Sequence, residues 1–218
     1  MRAQKTRYAN MSRRAAMTAA ALAAMATLSG CGGDKSAAAD GDMAQGAAEG
    51  AKVTVVEYAS VTCPHCAAWQ ENTYPAFKAA YIDTNKVRYV FRELPTPPTN
   101  VATAGFLLAR CAGPDKYFDV VHEIMASQKG WYSGAEDPKA TLQRVGGAVG
   151  LSPQQVNDCI TDEDALKAAD ARFQAASRAG VTGTPAFFVN GVEVVSPGGE
   201  GASMADLSKA IDAELAKG

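Results

Sequence analysis

The chain is poor in the residues that build metal centres and nucleic-acid surfaces. It has two histidines, His65 and His122, and five cysteines among 218 residues. A closed zinc site needs about four ligands, and the sequence has no second Cys-X-X-Cys and no His-X-X-X-His spacing, so we expect no bound metal. Five of the 21 basic residues lie in the first fourteen positions, and the remaining 16 face 23 acidic residues. This balance leaves no basic stripe for phosphates, which argues against nucleic acid as a partner.

The N-terminus has no acidic residue before Asp34 and no apolar run long enough for a comfortable membrane span. A basic stretch through Arg14 is followed by an apolar run over residues 15–28, whereas a spanning helix needs roughly 20 apolar residues. Such a run is typical of a signal-peptide core. It ends in Leu28-Ser-Gly-Cys31, which resembles a bacterial lipoprotein box whose cysteine is lipidated. We predict a lipoprotein signal peptide over residues 1–30; an ordinary cleavable signal with an incidental cysteine is the alternative.

Residues 31–51 are predicted to form a flexible tether. From Gly32 to Gly50 the sequence consists of small and polar residues, with Met43 as its one large apolar side chain. Little there could offset the entropy lost on ordering. A loose coil of about 19 residues spans on the order of 25 Å, so a lipid at Cys31 would hold the folded part close to a membrane.

The folded part begins with a strand-helix-strand pattern. Residues 53–59 are mostly apolar and predict a buried strand, residues 64–82 have helical spacing with a break at Pro75, and residues 86–91 predict a second strand. This order indicates a βαβ unit with a parallel, right-handed crossover.

Residues 99–180 carry helical periodicity and no convincing strand, which indicates a helical subdomain inserted into the α/β unit. Its predicted helices cover residues 101–111, 116–128, 140–149, 153–161 and 164–179. Strands over residues 185–190 and 192–195 then flank Asn190-Gly191, a strong hairpin signal, and residues 203–215 predict a closing helix. The fold class is therefore α/β.

The motif Cys63-Pro64-His65-Cys66 lies where the first strand passes into a helix. A cysteine at a helix N-terminus faces free backbone N–H groups and the positive end of the helix dipole, which lowers the pKa of Cys63. Cys66, one turn further, should be more buried, and His65 can offer a charge or a donor to the Cys63 thiolate, which makes the disulfide more oxidising. Pro64 is tolerated in the first turn. We predict redox catalysis, with metal binding or a purely structural disulfide as alternatives.

Two segments together resemble the DsbA-type proteins of the thioredoxin superfamily: Glu57-Tyr-Ala-Ser-Val-Thr-Cys63-Pro-His-Cys66 and Val181-Thr-Gly-Thr184-Pro185-Ala-Phe-Phe-Val-Asn-Gly191. The similarity runs over about residues 52–217. It implies a thioredoxin-like domain over residues 52–218, with a central mixed sheet, flanking helices and a helical insertion at about residues 99–180. DsbA itself is a known example of a low-pKa, strongly oxidising cysteine pair, so the direction of that shift is inherited from the resemblance.

The resemblance also implies roles for single residues. Pro185 corresponds to the family's cis-proline, whose loop lies against the active-site disulfide and binds extended substrate. Thr184 should tune the reactivity of the pair, although DsbA has an apolar residue there. Glu57 matches a buried acid that relays protons to the inner cysteine. A lone acid on a strand is more often exposed, but the apolar neighbours of Glu57 favour burial, which would raise its pKa towards a proton-shuttling range. Cys111 and Cys159 match a second, non-catalytic disulfide, with buried free thiols as the alternative.

These expectations combine into one function. The chain would be a periplasmic, lipid-anchored monomer that donates the Cys63–Cys66 disulfide to exported, folding polypeptides through a mixed disulfide. A membrane DsbB-like, quinone-linked oxidase would reoxidise it, and no organic cofactor would be needed. The alternatives are a disulfide isomerase or reductase, which Thr184 mildly favours, and a non-catalytic tethered chaperone or metal-handling module.

Overall fold

A five-stranded mixed sheet forms the centre of the molecule. The computed structural model describes Lys35, residues 37–198 and residues 201–217; the predicted signal peptide over residues 1–30 and Cys31 lie outside the described residues. The strands are β1 (Met43–Gly46), β2 (Thr54–Ala59), β3 (Arg88–Glu93), β4 (Ala186–Val189) and β5 (Val192–Val194), in the spatial order β1-β3-β2-β4-β5. β2 and β3 are parallel, as predicted, and the other neighbouring pairs are antiparallel.

β2 is buried on both faces because helices cover both sides of the sheet. Val55 and Ala59 pack into the larger apolar cluster, whereas Val56 and Tyr58 pack into a second cluster on the opposite face. A strand with two buried faces needs a continuous apolar run, and β-branched side chains suit its pleat. The apolar run of β2 therefore places the strand, and the motif that follows it, in the middle of the sheet.

The predicted tether is wrong for Met43–Gly46, which forms the edge strand β1. Met43 pairs with Phe91 and Gly46 with Arg88 in an antiparallel ladder. Gly46 has φ +81°, and a Cβ at that position would approach the Val87 carbonyl oxygen to 2.5 Å. The composition of this segment indicated little apolar burial, but an edge strand gains its order from backbone hydrogen bonds to β3.

Arg92 of β3 also holds the residues before β1. Its guanidinium forms an ion pair with Asp42, Nη2 to Oδ2 2.8 Å. The same side chain donates to the carbonyl oxygens of Lys35 at 2.9 Å and Ala37 at 2.6 Å. We expected the folded part to begin at residue 52, but these contacts show that ordered structure begins well before it.

The helix after β2 is broken near Pro75, as predicted. α1 covers Pro64–Asn72, α2 covers Tyr74–Phe77, and a single π-helical turn, Lys78–Ile82, follows. Trp69 of α1 is buried against Phe187 of β4, with ring centroids 4.5 Å apart, and its indole N–H donates to the Ala202 carbonyl at 2.8 Å. These contacts fix α1, and hence the motif, over the sheet.

Five helices form the predicted insertion, and one helix closes the chain. They are α3 (Thr99–Cys111), α4 (Pro114–Ser133), α5 (Pro138–Ala148), α6 (Pro153–Thr161), α7 (Glu163–Arg178) and α8 (Met204–Ala216). α6 begins at a capping box in which Ser152 and Gln155 bond each other's backbone N–H groups. Within the part of the chain that the structure describes, no helix is long and apolar enough to cross a bilayer.

The insertion is joined to the sheet and to itself by polar and covalent links. Cys111, the last residue of α3, forms a disulfide with Cys159 of α6, with their Cα atoms 6.0 Å apart. The buried carboxylate of Glu93 on β3 forms two ion pairs. Its Oε1 lies 2.6 Å from Nε of Arg110 on α3, and its Oε2 lies 3.0 Å from Nε of Arg172 on α7. These links position the insertion, including α4, beside α1.

Candidate active site

Cys63 caps the N-terminus of α1. Its backbone is extended, with φ −85° and ψ 119°, and its sulfur accepts a hydrogen bond from the Cys66 backbone N–H at 3.1 Å. Pro64 occupies the first turn, where its missing N–H costs no hydrogen bond. Cys63 keeps 4% of its surface exposed whereas Cys66 keeps none. An incoming thiol can therefore reach only the first cysteine.

The two cysteines, both free thiols here, have opposite acidities. The pKa of Cys63 is lowered to about 6, chiefly by a hydrogen bond from the Cys66 thiol and further by the Thr184 side chain and the backbone N–H groups of Cys66 and His65. Burial raises the pKa of Cys66 well above its ordinary value, and the hydrogen bond to Cys63 adds to that shift. Near neutral pH the pair therefore consists of one thiolate and one thiol.

The loop before β4 lies against Cys63. The Thr184–Pro185 peptide bond is cis, and the Thr184 carbonyl oxygen lies 3.5 Å from the Cys63 sulfur, which can donate to it only in the protonated form. This approach follows from sheet topology, because β4 runs antiparallel to β2 with Ala186 opposite Tyr58. The start of β4 is thereby placed beside the end of β2, where α1 begins.

Glu57 is buried beneath the motif and bonded to a tyrosine. Only 1% of its surface is exposed, and one carboxyl oxygen accepts a hydrogen bond from the Tyr89 hydroxyl of β3. Burial raises the pKa of Glu57 to about 8; the Tyr89 hydrogen bond opposes the rise, and negative charge on Cys63 adds to it. At neutral pH Glu57 is thus mostly a neutral acid beside the cysteine pair.

His65 and His122 occupy different environments. His65 is exposed on α1, and the group through which it lowers the Cys63 pKa is its backbone N–H. His122 packs its ring 4.6 Å from that of Tyr74, and burial lowers its pKa to about 4. Among the described residues, no group of three or more histidines, cysteines and acids is arranged to hold a metal.

Two residues of the site carried no local signal in the sequence. Tyr89 belongs to a strand whose aromatic residues suit any core. Gln128 of α4 is buried, and its amide Nε2 donates to the carbonyls of Val61 at 2.8 Å and Cys63 at 3.2 Å. Both act across long stretches of sequence, so only the fold reveals them.

A family model for thioredoxin matches residues 38–213. The chain belongs to the thioredoxin family. It is 35% identical over 164 residues to a Rickettsia typhi protein provisionally named protein-disulfide oxidoreductase, a match that covers 75% of this chain and 58% of that protein. A Rickettsia prowazekii protein with the same provisional name is 34% identical over 177 residues, covering 81% of this chain and 62% of that protein. The chain thus spans less than two thirds of the length of the curated relatives that it matches.

Solved structures show which proteins of the thioredoxin family this chain resembles. The crystal structure of alpha-DsbA1 from Wolbachia pipientis superposes with a TM-score of 0.72 at 26% identity, covering 83% of this chain and 94% of that one. BdbD from Bacillus subtilis superposes with a TM-score of 0.68 at 17% identity, covering 80% and 92%, and supports the fold alone. These likenesses confirm the DsbA-type resemblance and the predicted thioredoxin-like fold with its helical insertion.

Proposed function

We propose that this chain is a thiol-disulfide oxidoreductase that donates the Cys63–Cys66 disulfide to exported proteins outside the cytoplasm. The observation that carries the proposal is the split acidity of the pair, with the pKa of Cys63 lowered to about 6 and that of Cys66 raised. A low pKa makes Cys63 the easier leaving group in thiol exchange and favours the reduced protein, which makes its disulfide oxidising. The provisional names of the Rickettsia relatives support this reaction class.

The reaction begins when a substrate thiolate attacks the sulfur of Cys63. A substrate–Cys63 disulfide forms, and the bond between Cys63 and Cys66 breaks with its electron pair on Cys66. The Cys66 thiolate then takes a proton. A second substrate thiolate attacks the substrate sulfur of the mixed disulfide and releases Cys63 as a thiolate. The substrate is oxidised by two electrons and the cysteine pair is reduced by two.

Glu57 is the proposed proton donor to Cys66. With a pKa of about 8 it holds a proton at neutral pH, and its charge raises the pKa of Cys66, so the two groups lie within electrostatic reach. A buried acid with a pKa near the working pH is suited to proton transfer. Pro64 and His65 are the remaining proposed site residues. Pro64 begins the helix, and the backbone N–H of His65 stabilises the Cys63 thiolate.

Thr184 and Pro185 form the proposed substrate-binding loop. The loop lies beside Cys63, which is the more accessible cysteine of the Cys63–Cys66 pair, and β4 continues directly from the loop at Ala186. An extended polypeptide that places its cysteine on Cys63 would therefore run along this backbone. Backbone contacts of this kind recognise a chain without requiring a particular sequence, which suits the many unfolded proteins that an oxidase meets.

The cellular setting is proposed from the N-terminal sequence. Residues 1–30 would be removed as a lipoprotein signal, and Cys31 would carry the lipid. Since Lys35 already bonds to Arg92 of the sheet, the lipid would lie only four residues from ordered structure. A lipid-anchored monomer of this kind would stand close to a membrane DsbB-like oxidase, which would restore the disulfide.

The reduction potential tests the direction of electron flow. The purified protein would be equilibrated in graded glutathione buffers, its free thiols trapped, and the products weighed. We expect a potential at or above about −180 mV, the range of disulfide donors. A clearly lower potential would favour the isomerase or reductase alternative.

Cys63→Ser tests whether the site is catalytic at all. We expect it to abolish oxidation of a reduced, unfolded protein. In Cys66→Ser, the Cys63 thiolate should attack an unfolded protein that carries a disulfide, release one substrate thiolate and remain trapped as the mixed disulfide. Normal oxidation by Cys63→Ser would overturn the proposal. Binding of unfolded protein by Cys63→Ser, without oxidation by the unaltered chain, would point to the chaperone alternative.

A further inference from the structure

The neighbouring strands β2 and β3 each carry a buried glutamate, and each glutamate accepts a hydrogen bond from a buried tyrosine. Tyr117 donates to Glu93 at 2.9 Å, and Tyr89 donates to Glu57. The carboxylate of Glu93 also forms ion pairs with Arg110 and Arg172. Within residues 37–198 and 201–217, Glu57 has no ion pair. The Tyr89 hydroxyl is therefore the group that stabilises negative charge on Glu57.

The sheet aligns Tyr89 with Glu57. β2 and β3 are parallel, with Val55 opposite Tyr89, so Glu57, two residues along β2, projects from the same face. Tyr89 is fully buried. Its ring packs 5.7 Å from that of Phe77 and 6.0 Å from that of Phe118, centroid to centroid. Close packing on both sides keeps the hydroxyl directed at the carboxyl group.

We propose that Tyr89 is a positioning residue for proton exchange between Glu57 and Cys66. In this step the Glu57 carboxylic acid gives its proton to the Cys66 thiolate, which leaves a Glu57 carboxylate and a Cys66 thiol. The Tyr89 hydroxyl keeps its own proton and donates a hydrogen bond to the carboxylate formed. This role rests on the proposed function of Glu57 as a proton donor. Tyr89 would stabilise the charged form of Glu57 in an apolar interior.

Electrostatics supports this role. Burial raises the Glu57 pKa, and the Tyr89 hydrogen bond is the largest effect that lowers it. Burial also raises the pKa of Tyr89 well above its ordinary value, so the phenol remains a donor across the working range. The other titratable groups that act on Glu57 are Cys63, which caps α1, Cys66 of α1 and Tyr74 of α2. On its other side, β4 places Phe187 opposite Glu57.

The decisive variant is Tyr89→Phe in the full-length protein. The titration of Glu57 would be followed by carboxyl carbon NMR, and the pH profile of disulfide reduction by a cysteine peptide would be measured in single turnover. We expect the Glu57 inflection to move up by about one to two pH units in both experiments, as for loss of a buried hydrogen bond to a charged group. Tyr117→Phe, which removes the hydroxyl from the other pair, should leave the inflection unchanged.

The Glu57→Gln background separates this inference from the proposed function. In that background, Tyr89→Phe should have no further effect on the kinetic profile. If Glu57→Gln removes the inflection but Tyr89→Phe leaves it in place, the inference about Tyr89 is overturned and the role of Glu57 stands. If Glu57→Gln itself leaves the profile intact, the proton-transfer part of the proposed function is wrong.

A second variant covers the case in which Tyr89→Phe does not fold. Replacing Tyr89 by 3-fluorotyrosine keeps the size of the ring and makes its hydroxyl a stronger donor. We expect the Glu57 inflection to move down, opposite to the shift in Tyr89→Phe. An unchanged or higher inflection would count against the positioning role.

Discussion

The sulfur of Cys63 lies 3.5 Å from the carbonyl oxygen of Thr184, a residue 121 positions further along the chain. The contact joins the start of α1 to the loop before β4. Through it, the residue that precedes cis-Pro185 approaches Cys63 by its backbone, and its side chain adds a hydrogen bond that lowers the pKa of Cys63. The identity of residue 184 should therefore tune the cysteine without changing the fold.

Thr184→Val should raise the pKa of Cys63. The substitution keeps the backbone and the side-chain shape but removes the hydroxyl, so we expect a rise of about one unit at most, since one hydrogen bond is lost. Ultraviolet titration of the thiolate measures the change. Thr182→Val, at an exposed position in the same loop, is the matched control and should leave the titration as it is. An equal shift in both variants would indicate a general change in the loop.

Glu57→Gln should stabilise the reduced protein at pH 7. The folded pKa of Glu57, about 8, lies above its ordinary value of 4.5, so folding retains a proton that the unfolded chain releases. Below pH 4.5 the carboxyl group therefore does not change the free energy of unfolding. As the pH rises above 4.5 it lowers the free energy of unfolding progressively, and the full reduction is reached above pH 8. We expect the free energy of unfolding to rise by roughly 2–3 kcal/mol at pH 7, with no change near pH 4.

Denaturant titrations at several pH values check this prediction. Glu93→Gln is the opposite control: it leaves Arg110 and Arg172 without their carboxylate, and we expect it to destabilise the protein, because a broken buried ion pair costs about 3–5 kcal/mol. Destabilisation by Glu57→Gln at pH 7 would show that the carboxyl group is charged in the folded state, contrary to the raised pKa.

Gln128→Ala should weaken the junction between the helical insertion and the active-site loop. The variant removes the side-chain donor to the Val61 carbonyl and one of the two donors to the Cys63 carbonyl, which still accepts from the Ala67 backbone N–H. We therefore expect a loss of roughly 1–3 kcal/mol in the free energy of unfolding. Gln154→Ala, on the exposed surface of α6, should change stability little. Hydrogen exchange would locate the effect, and we expect faster exchange at the start of α1. Equal protection there in both variants would contradict the positioning of this loop by α4.

Removal of the Cys111–Cys159 disulfide should lower stability while leaving exchange chemistry intact. The bridge joins residues 48 positions apart, and the loop-closure model then gives a loss of up to about 4 kcal/mol in the free energy of unfolding. The double variant Cys111→Ala, Cys159→Ala should still oxidise a reduced substrate below its unfolding temperature. A large change in the potential of the Cys63–Cys66 pair would show that this disulfide acts on the active site as well.

Much of the fold could be read from local sequence. The apolar run of β2, the helical periodicity of residues 153–161 and the Asn190-Gly191 turn each carry a local signal, and the corresponding elements lie where those signals predict. The chemistry of Cys63-Pro64-His65-Cys66 was likewise local, because a helix N-terminus acts on the residue that caps it. Pro185 needed the family resemblance, since a Thr-Pro pair alone predicts only a turn.

The groups that surround the motif from distant parts of the chain could not be predicted from local sequence. Composition could not predict that Met43–Gly46 would form an edge strand, because its order comes from a ladder with β3 and not from its own side chains. Nothing near Tyr89 or Gln128 in the sequence marked them as partners of Glu57 and Cys63. Hydrogen bonds between strands and helices far apart in the chain depend on register and packing, and those are properties of the folded molecule. The local sequence predicts that Cys63 caps the helix and has a lowered pKa; the folded arrangement adds Thr184 to the groups that lower the pKa of Cys63, and it buries Glu57 against Tyr89.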